Sequence, residues 1–327
     1  MPNYRVGDII RMTRLSMGMS QEKLSENICS VQTLSRIENG KCSVKRDVYR
    51  QLMERMGRNG EKSFAPLAVE DFDLLEDMER VNTYLSRHDY ENVERELIKL
   101  RAQIGDEMLN VRYVKRKQMI VDYRMGRITK TKFLEGLEEL IALTIPDYES
   151  LLDKVFPFMD EEIQLLLNIA GAYGELGENE KQISILNMLL RSIAAEYIGE
   201  GDAVQLKIML MNNLAKAYGE SDEHQTAIKI SEEAIGIAKQ YKLVRVLPNL
   251  YFEAAWNMIQ QIEKGLRKAG DLEKARRYLR QGYAVGAISG KVFVKEAIER
   301  YYKEYFQEEI YFCSSPIVGE EPASSIS

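Results

Sequence analysis

The sequence predicts an all-α protein in which a small helical bundle precedes a solenoid of paired helices. Apolar residues recur at helical spacing through most of the 327 residues, and no stretch alternates like the strands of a hairpin. Between the bundle and the C-terminal tail, proline occurs only at positions 66, 146, 157 and 248, where it can start or interrupt a helix. A pattern near residue 170 also returns 45 residues later, which is typical of repeated helix pairs.

The bundle is predicted to contain four short helices. The first runs from about Arg5 to Ser16. The next two follow Ser20 and Ser30, whose hydroxyls can accept from the free backbone N–H groups of a first turn. The third ends at Asn39-Gly40, where glycine allows a left-handed cap. Apolar residues at every fourth position indicate the last helix: Val44, Val48, Leu52 and Met56.

The second and third helices have the layout of a helix-turn-helix. Four apolar side chains would pack this pair together: Leu24, Ile28, Leu34 and Ile37. The positions between them on the third helix are polar and face outward. In this motif the corresponding helix enters the major groove of DNA with its N-terminus first.

The segment Met19–Gly40 resembles the Cro/repressor-type (XRE) family of helix-turn-helix regulators. The matching residues are Ser20-Gln21, Leu24, Ser30 and Thr33-Leu34-Ser35-Arg36-Ile37-Glu38-Asn39-Gly40. The segment departs from the family at Ile28-Cys29, where a glycine and an apolar residue are usual, so we expect a slightly different turn.

The resemblance implies a set of DNA contacts. Gln21 would contact the phosphate backbone, while Gln32 and Thr33 would face base edges. Glutamine can pair bidentately with adenine, and the threonine methyl can touch the thymine methyl. Ser35 could contact either a base or a phosphate. Four cations are expected to position the helix on phosphates: Arg36, Lys41, Lys45 and Arg46.

The charge distribution supports a head that meets a polyanion. Residues 1–62 contain 12 Lys+Arg and 7 Asp+Glu, a net charge of +5, whereas the whole chain carries −6 and residues 63–327 therefore −11. One alternative stays open: a four-helix bundle that resembles a DNA-binding domain but does not bind DNA.

The remainder of the chain reads as repeated helix pairs. Leu166–Glu175 and Met211–Glu220 share a small residue followed three positions later by tyrosine. The pattern resembles tetratricopeptide (TPR) repeats at degenerate spacing. The segment Leu206–Lys239 matches best, and 163–197 and 256–284 match in part, with Gln182 where alanine is expected. Apolar periodicity alone indicates weaker pairs at 68–104, 108–143 and 146–158.

These observations predict four segments. They are an XRE-type DNA-binding domain at 1–60, a linker at 61–67, a TPR-like repeat domain at 68–312, to which the family resemblance given below assigns peptide sensing and dimerisation, and a disordered tail at 313–327.

Asparagines on the first helices of the pairs form a candidate peptide-binding row: Asn168, Asn212, Asn213, Asn249 and Asn257. An amide both donates and accepts, so a row of amides can hold an extended peptide backbone whatever its side chains. Ordinary solvated asparagine is the alternative for each member.

Catalysis finds little support in the sequence, and we expect no enzyme and no cofactor. His88 and His224 lie apart from any metal-ligand spacing, and no glycine-rich phosphate loop occurs. Cys29, Cys42 and Cys313 fit a reducing cytoplasm, although a Cys29–Cys42 redox switch is conceivable. No apolar run has the length of a membrane span, and no signal peptide is evident.

The two-part architecture resembles the RRNPP group of Gram-positive quorum-sensing regulators (Rgg-, PlcR- and PrgX-like). The resemblance implies a cytoplasmic homodimer that binds a two-fold DNA operator and is switched by a short signalling peptide. Two alternatives stay open: a TPR-type scaffold that sequesters a protein partner, and a phage-type repressor without a peptide ligand. The sequence leaves the operator, the peptide and the direction of regulation undetermined.

Overall fold

The computed structural model describes residues 6–42, 44–56, 72–104, 108–156, 158–194 and 200–310. Within these ranges the chain forms fifteen α-helices, joined by turns and three short 3-10 segments, and contains no strand. The helices are α1 Val6–Ser16, α2 Gln21–Ser25, α3 Val31–Glu38, α4 Arg46–Arg55, α5 Phe72–Ser86, α6 Tyr90–Gln103, α7 Met108–Arg124, α8 Lys130–Ala142, α9 Asp160–Glu175, α10 Asn179–Ala194, α11 Glu200–Glu220, α12 His224–Gln240, α13 Leu247–Glu263, α14 Leu272–Ile288 and α15 Val292–Phe306. The predicted all-α fold class is confirmed.

The chain divides into two compact units, residues 1–210 and 211–327. The first unit contains the bundle α1–α4 and the pairs α5/α6, α7/α8 and α9/α10; the second contains the end of α11 and helices α12–α15. The predicted linker at 61–67 and most of the predicted tail at 313–327 lie outside the described residues, so the predicted domain boundaries remain predictions.

The predicted caps of the helix-turn-helix are confirmed. The Ser20 hydroxyl accepts from the Lys23 backbone N–H at 3.2 Å, and the Ser30 hydroxyl accepts from the Thr33 N–H at 3.0 Å. Gly40 adopts φ +66°, the left-handed conformation that ends α3. Each serine satisfies a donor that the helix itself leaves unpaired, so the sequence determines where α2 and α3 begin.

The turn between α2 and α3 has its left-handed residue directly before Ile28-Cys29, the two positions where we expected a slightly different turn. Asn27 takes the left-handed conformation, with φ +57°. Asparagine is among the few non-glycine residues that tolerate this region, because its short polar side chain hydrogen-bonds locally. The turn can therefore form although isoleucine occupies position 28.

A dedicated apolar core holds the bundle together. Ile10, Leu24, Leu34, Ile37 and Leu52 are buried, and Ile28 packs partly buried against them. Helices α1 and α3 approach so closely at Gly7 that a Cβ placed there would lie 1.9 Å from the Ile37 carbonyl oxygen. Glycine at this position therefore sets the distance at which α1 supports α3.

The repeat region consists of successive antiparallel helix pairs, and its predicted boundaries hold in part. Helix pairs occur near 68–104 and 108–143, as expected. The pair predicted at 146–158 is wrong, because the described residues there form only a 3-10 turn at Glu149–Leu151. The last pair starts earlier than predicted, at Leu247 with Pro248 in its first turn, where proline fits without losing a hydrogen bond.

Gln182 shows how a repeat absorbs a residue that does not fit its consensus. The side chain is buried at the point where α10 crosses α9. A Cβ added at Gly174 would lie 2.5 Å from Gln182 Oε1. Alanine at position 182 would leave space between the two helices. With glutamine at this position, glycine at position 174 provides the space instead.

In the second unit, α15 covers the last helix pair. Ile298 and Tyr302 are fully buried against α13 and α14, and Phe252 meets Tyr301 edge to face at 5.6 Å. Helix α15 therefore caps the last helix pair with its aromatic side chains. None of the described helices combines the length and the apolar character that a membrane crossing requires.

We expect Gly7→Ala to destabilise the bundle by about 1–3 kcal/mol, because the new methyl group meets backbone atoms that cannot rotate away. Hydrogen exchange of the α1 and α3 amides in the full chain measures this loss. Gly171→Ala is the matched control: a Cβ there meets nothing within 4 Å, and alanine should stabilise α9 by roughly 0.5–1 kcal/mol. Equal protection of the α1 and α3 amides in Gly7→Ala and the wild type would contradict the account.

Candidate nucleic-acid interface and repeat face

A buried ion pair fixes the end of α3 against α1. Arg14 Nε lies 2.7 Å from Glu38 Oε1, and Arg14 Nη2 donates to Glu38 Oε2 at 2.8 Å. Arg14 Nη1 also donates to the Met19 carbonyl at 2.8 Å. The hydrogen bond to Glu38 holds the pKa of the Arg14 guanidinium above its ordinary value. Because both groups are buried, removing one would leave the other without compensation.

Gln21 belongs to this network. Its side-chain amide N–H donates to Glu38 Oε2 at 2.7 Å, which ties the first residue of α2 to the last residue of α3. The N–H that was expected to reach a phosphate is therefore used within the bundle. The predicted phosphate contact of Gln21 requires its backbone N–H or a reoriented side chain. The sequence analysis did not identify Arg14 and Glu38 as partners, although opposite charges on α1 and α3 were visible in the sequence.

The outward surface of α3 carries the residues predicted to contact bases and one of the predicted phosphate contacts, Arg36. Gln32, Thr33 and Arg36 are exposed, while Ser35 is half-buried. The Thr33 hydroxyl lies 2.8 Å from the Ser30 hydroxyl, an arrangement that engages the hydroxyl in the cap. Ser35 is drawn into the helix end, since Asn39 Nδ2 donates to its carbonyl at 2.7 Å. We call Gln32, Thr33 and Arg36 the α3 face.

Two further predicted phosphate contacts flank the α3 face. Lys41 and Lys45 are both exposed, and Lys45 stands immediately before α4. Arg46 is the first residue of α4, but its side chain lies outside the described part of the structure. The exposed cations and the polar α3 face give the bundle the donors that phosphates and base edges accept.

The asparagine row separates into engaged and unengaged members. In the first unit, Asn168 Oδ1 accepts from Arg116 Nη1 at 3.2 Å, and Arg116 also forms a bidentate pair with Glu161 at 2.6 and 3.0 Å. In the second unit, Asn257 is fully buried and its Oδ1 lies 2.9 Å from His224 Nδ1. These amides already have partners within the fold, and the burial of Asn257 removes it from any exposed row.

Three asparagines of the row make no hydrogen bond through their side chains within the described residues. Asn212 and Asn213 are half-buried on α11, and Asn249 is exposed on α13. The Asn212 carbonyl oxygen is itself buried without a partner. Buried polar atoms in folded proteins nearly always have a hydrogen-bond partner, so such an atom calls for an explanation.

A half-buried carboxylate lies on α13, near the α11 asparagines. Burial raises the pKa of Glu253 to about 7, an effect that Lys216 opposes and Glu220 reinforces. Lys216 is exposed, and its ammonium lies 3.7 Å from Glu220 rather than on Glu253. Helices α11 and α13 meet closely at Gly219, where a Cβ would lie 2.5 Å from Asn257 Oδ1. We call Asn212, Lys216, Asn249 and Glu253 the α11–α13 face.

Comparison with known proteins identifies the bundle and places the whole chain in a known fold. Residues 10–59 match the helix-turn-helix family model HTH_3. No match to a curated protein is found.

Solved regulators share the fold of the full chain. PlcR of Bacillus thuringiensis, in complex with the peptide PapR7 and DNA, superposes with a TM-score of 0.57 at 17% identity, over 90% of this chain and 98% of PlcR. Its apo form gives 0.56 at 14%, over 90% and 97%. Apo ComR of S. thermophilus gives 0.50 at 14%, over 92% and 99%. The chain therefore has the fold of a helix-turn-helix regulator with TPR-like repeats.

We expect Glu38→Gln to destabilise the bundle by about 3–5 kcal/mol, because it leaves the Arg14 guanidinium buried without its counter-charge. The double variant Arg14→Met/Glu38→Leu replaces both charges by apolar groups and should recover most of the loss. Hydrogen exchange of the α3 amides measures both. If the single and double variants lose equal protection, the ion pair lacks the role assigned to it.

The raised pKa of Glu253 predicts a pH-dependent stability. The fold favours the protonated carboxyl, so its contribution is complete below the ordinary pKa of about 4.3 and is lost as the pH rises to about 7. Glu253→Gln is neutral throughout and should melt roughly 2–6 °C above the wild type at pH 8, but together with it at pH 4.5. Glu233→Gln, at an exposed site on α12, is the control without this dependence. A melting difference that does not change with pH would refute this assignment.

Proposed function

We propose that this protein is a transcriptional regulator that binds a specific DNA operator through α3 and responds to a short peptide bound by its repeat region. The observation that carries the proposal is the α3 face, a polar surface on a capped helix that a buried ion pair holds in place. The net charge of +5 over residues 1–62 supports a polyanionic partner.

The peptide half of the proposal depends on the repeats. PlcR, which shares the fold, has been solved with both a peptide and DNA. In this chain, the unengaged amides of Asn212, Asn213 and Asn249 provide donors and acceptors of the kind that a peptide backbone binds. Asn168 and Asn257 have the weaker claim, because their amides are engaged within the fold.

We further infer a homodimer in the cytoplasm. One recognition helix buries too little surface to select a single site in a genome, and two copies that read half-sites about one helical turn apart supply the missing specificity. The proposed division is a DNA-binding domain at 1–60, a linker at 61–67, a sensing and dimerising domain at 68–312, and a tail at 313–327. No cofactor and no catalytic activity enter this proposal.

We expect Arg36→Ala to weaken binding to every DNA sequence alike and to reduce the slope of log affinity against log salt by about 1, because one phosphate contact is lost. The duplex is selected from a random library with the wild type, and anisotropy titrations between 50 and about 300 mM salt give the slope. Lys229→Ala, at an exposed site on α12, is the control. An unchanged slope in Arg36→Ala would remove the phosphate role of this residue.

A further inference from the structure

The α11–α13 face leaves two polar groups unpaired among the described residues. The Asn212 carbonyl oxygen is buried and accepts no hydrogen bond. The Glu253 carboxylate is half-buried, and within the described part of the chain no side chain or backbone group pairs with it. Two other carboxylates of the described chain are paired with arginines: Glu38 with Arg14 and Glu161 with Arg116. Glu253 has no such cation on its carboxylate among the described residues.

These groups lie on one surface. Asn212 and Lys216 are four residues apart on α11, and Asn249 and Glu253 are four residues apart on α13, so each pair shares one face of its helix. Helices α11 and α13 meet at Gly219, where a Cβ would lie 2.5 Å from Asn257 Oδ1, and Lys216 and Glu220 are close enough to act electrostatically on Glu253. Lys216 does not pair with Glu253, because it is exposed and its ammonium lies 3.7 Å from Glu220.

The chemistry of the unpaired atoms defines the missing partner. A carbonyl oxygen requires an N–H donor, and a desolvated carboxylate is best satisfied by a cation that also donates hydrogen bonds. A peptide with an ammonium or guanidinium group provides both. We propose that the α11–α13 face selects a peptide that carries a positive charge, and that Glu253 pairs with this charge. The inference rests on the proposed peptide-sensing function and specifies its ligand.

The raised pKa of Glu253 agrees with a carboxylate that is partly desolvated and has no paired cation within the described chain. A carboxyl that is partly desolvated and lacks a partner holds its proton to higher pH than usual, and a bound cation would restore the charged form. Peptide binding should therefore release protons near neutral pH.

Affinity selection followed by mass spectrometry tests the proposal without a known ligand. The full-length protein is incubated with an equimolar mixture of synthetic heptapeptide pools, in which a fixed position holds lysine, arginine, norleucine or glutamate. Each pool is made with a free and with an acetylated N-terminus. The two arms distinguish a lysine or arginine side chain from the N-terminal ammonium as the source of the charge.

We expect the wild type to retain peptides that carry lysine, arginine or a free N-terminus at least tenfold more than peptides of the acetylated norleucine pool. Glu253→Gln should retain peptides without this enrichment, and Glu253→Ala should behave in the same way. Glu233→Gln removes the same charge at an exposed site on α12, and its retained peptides should show the same enrichment as those of the wild type. Helix content by circular dichroism confirms that each variant is folded.

Two results would overturn the inference. Peptides retained without cation enrichment, or with the same enrichment in Glu253→Gln, would leave peptide sensing intact and remove the assigned selectivity. If no pool is retained by any folded variant, the proposed peptide-sensing function fails together with the inference.

Discussion

The repeat region depends on one constraint: a single helix pair cannot bury its own apolar stripe. Each pair must stack on the next, and each helix from α5 to α10 in the first unit and from α12 to α15 in the second packs on its successor. In the second unit α15 covers the last pair by burying Ile298 and Tyr302 against it. Because the apolar side chains are buried between helices, polar residues such as Asn213 and Asn249 remain at the surface.

The helix-turn-helix domain obeys a different constraint. Besides its apolar core, it has the buried Arg14–Glu38 pair and the Gln21 amide, whose directional hydrogen bonds fix how the helices meet. This network joins α1, α2 and α3 through one carboxylate. A preorganised helix loses less freedom when it binds DNA, which leaves more of the contact energy for affinity.

Much of the fold could be predicted from local chemistry. Ser20, Ser30 and Gly40 mark helix ends because capping depends on the residue itself and its nearest neighbours. The failed helix pair at 146–158 shows the limit, since apolar spacing over a short segment does not separate a helix from a buried turn. Likewise, the sequence indicated an altered turn at Ile28-Cys29 but not that Asn27 would adopt the left-handed conformation there.

The candidate site was harder to predict than the fold, because hydrogen-bond partners come from distant positions. Asn257 and Asn212 look alike in the sequence, yet His224 engages the first, and the carbonyl oxygen of the second has no partner. Gln21 is expected on a phosphate, and nothing in the sequence indicates that its side chain also donates to Glu38, 17 residues away. The raised pKa of Glu253 could not be predicted from the sequence, because it depends on burial and on the lack of a paired cation in the folded, described part of the chain.

The central claim is that the α3 face binds DNA and that Gln32 on this face contacts a base. The most direct measurement is selection of duplexes from a random library by the full-length wild type and by Gln32→Ala. The account predicts that the wild type enriches a two-fold consensus, and that the variant loses its preference at one position of each half-site while the rest of the consensus persists. An identical consensus at equal affinity for the two proteins, or no enrichment by the wild type, would contradict it.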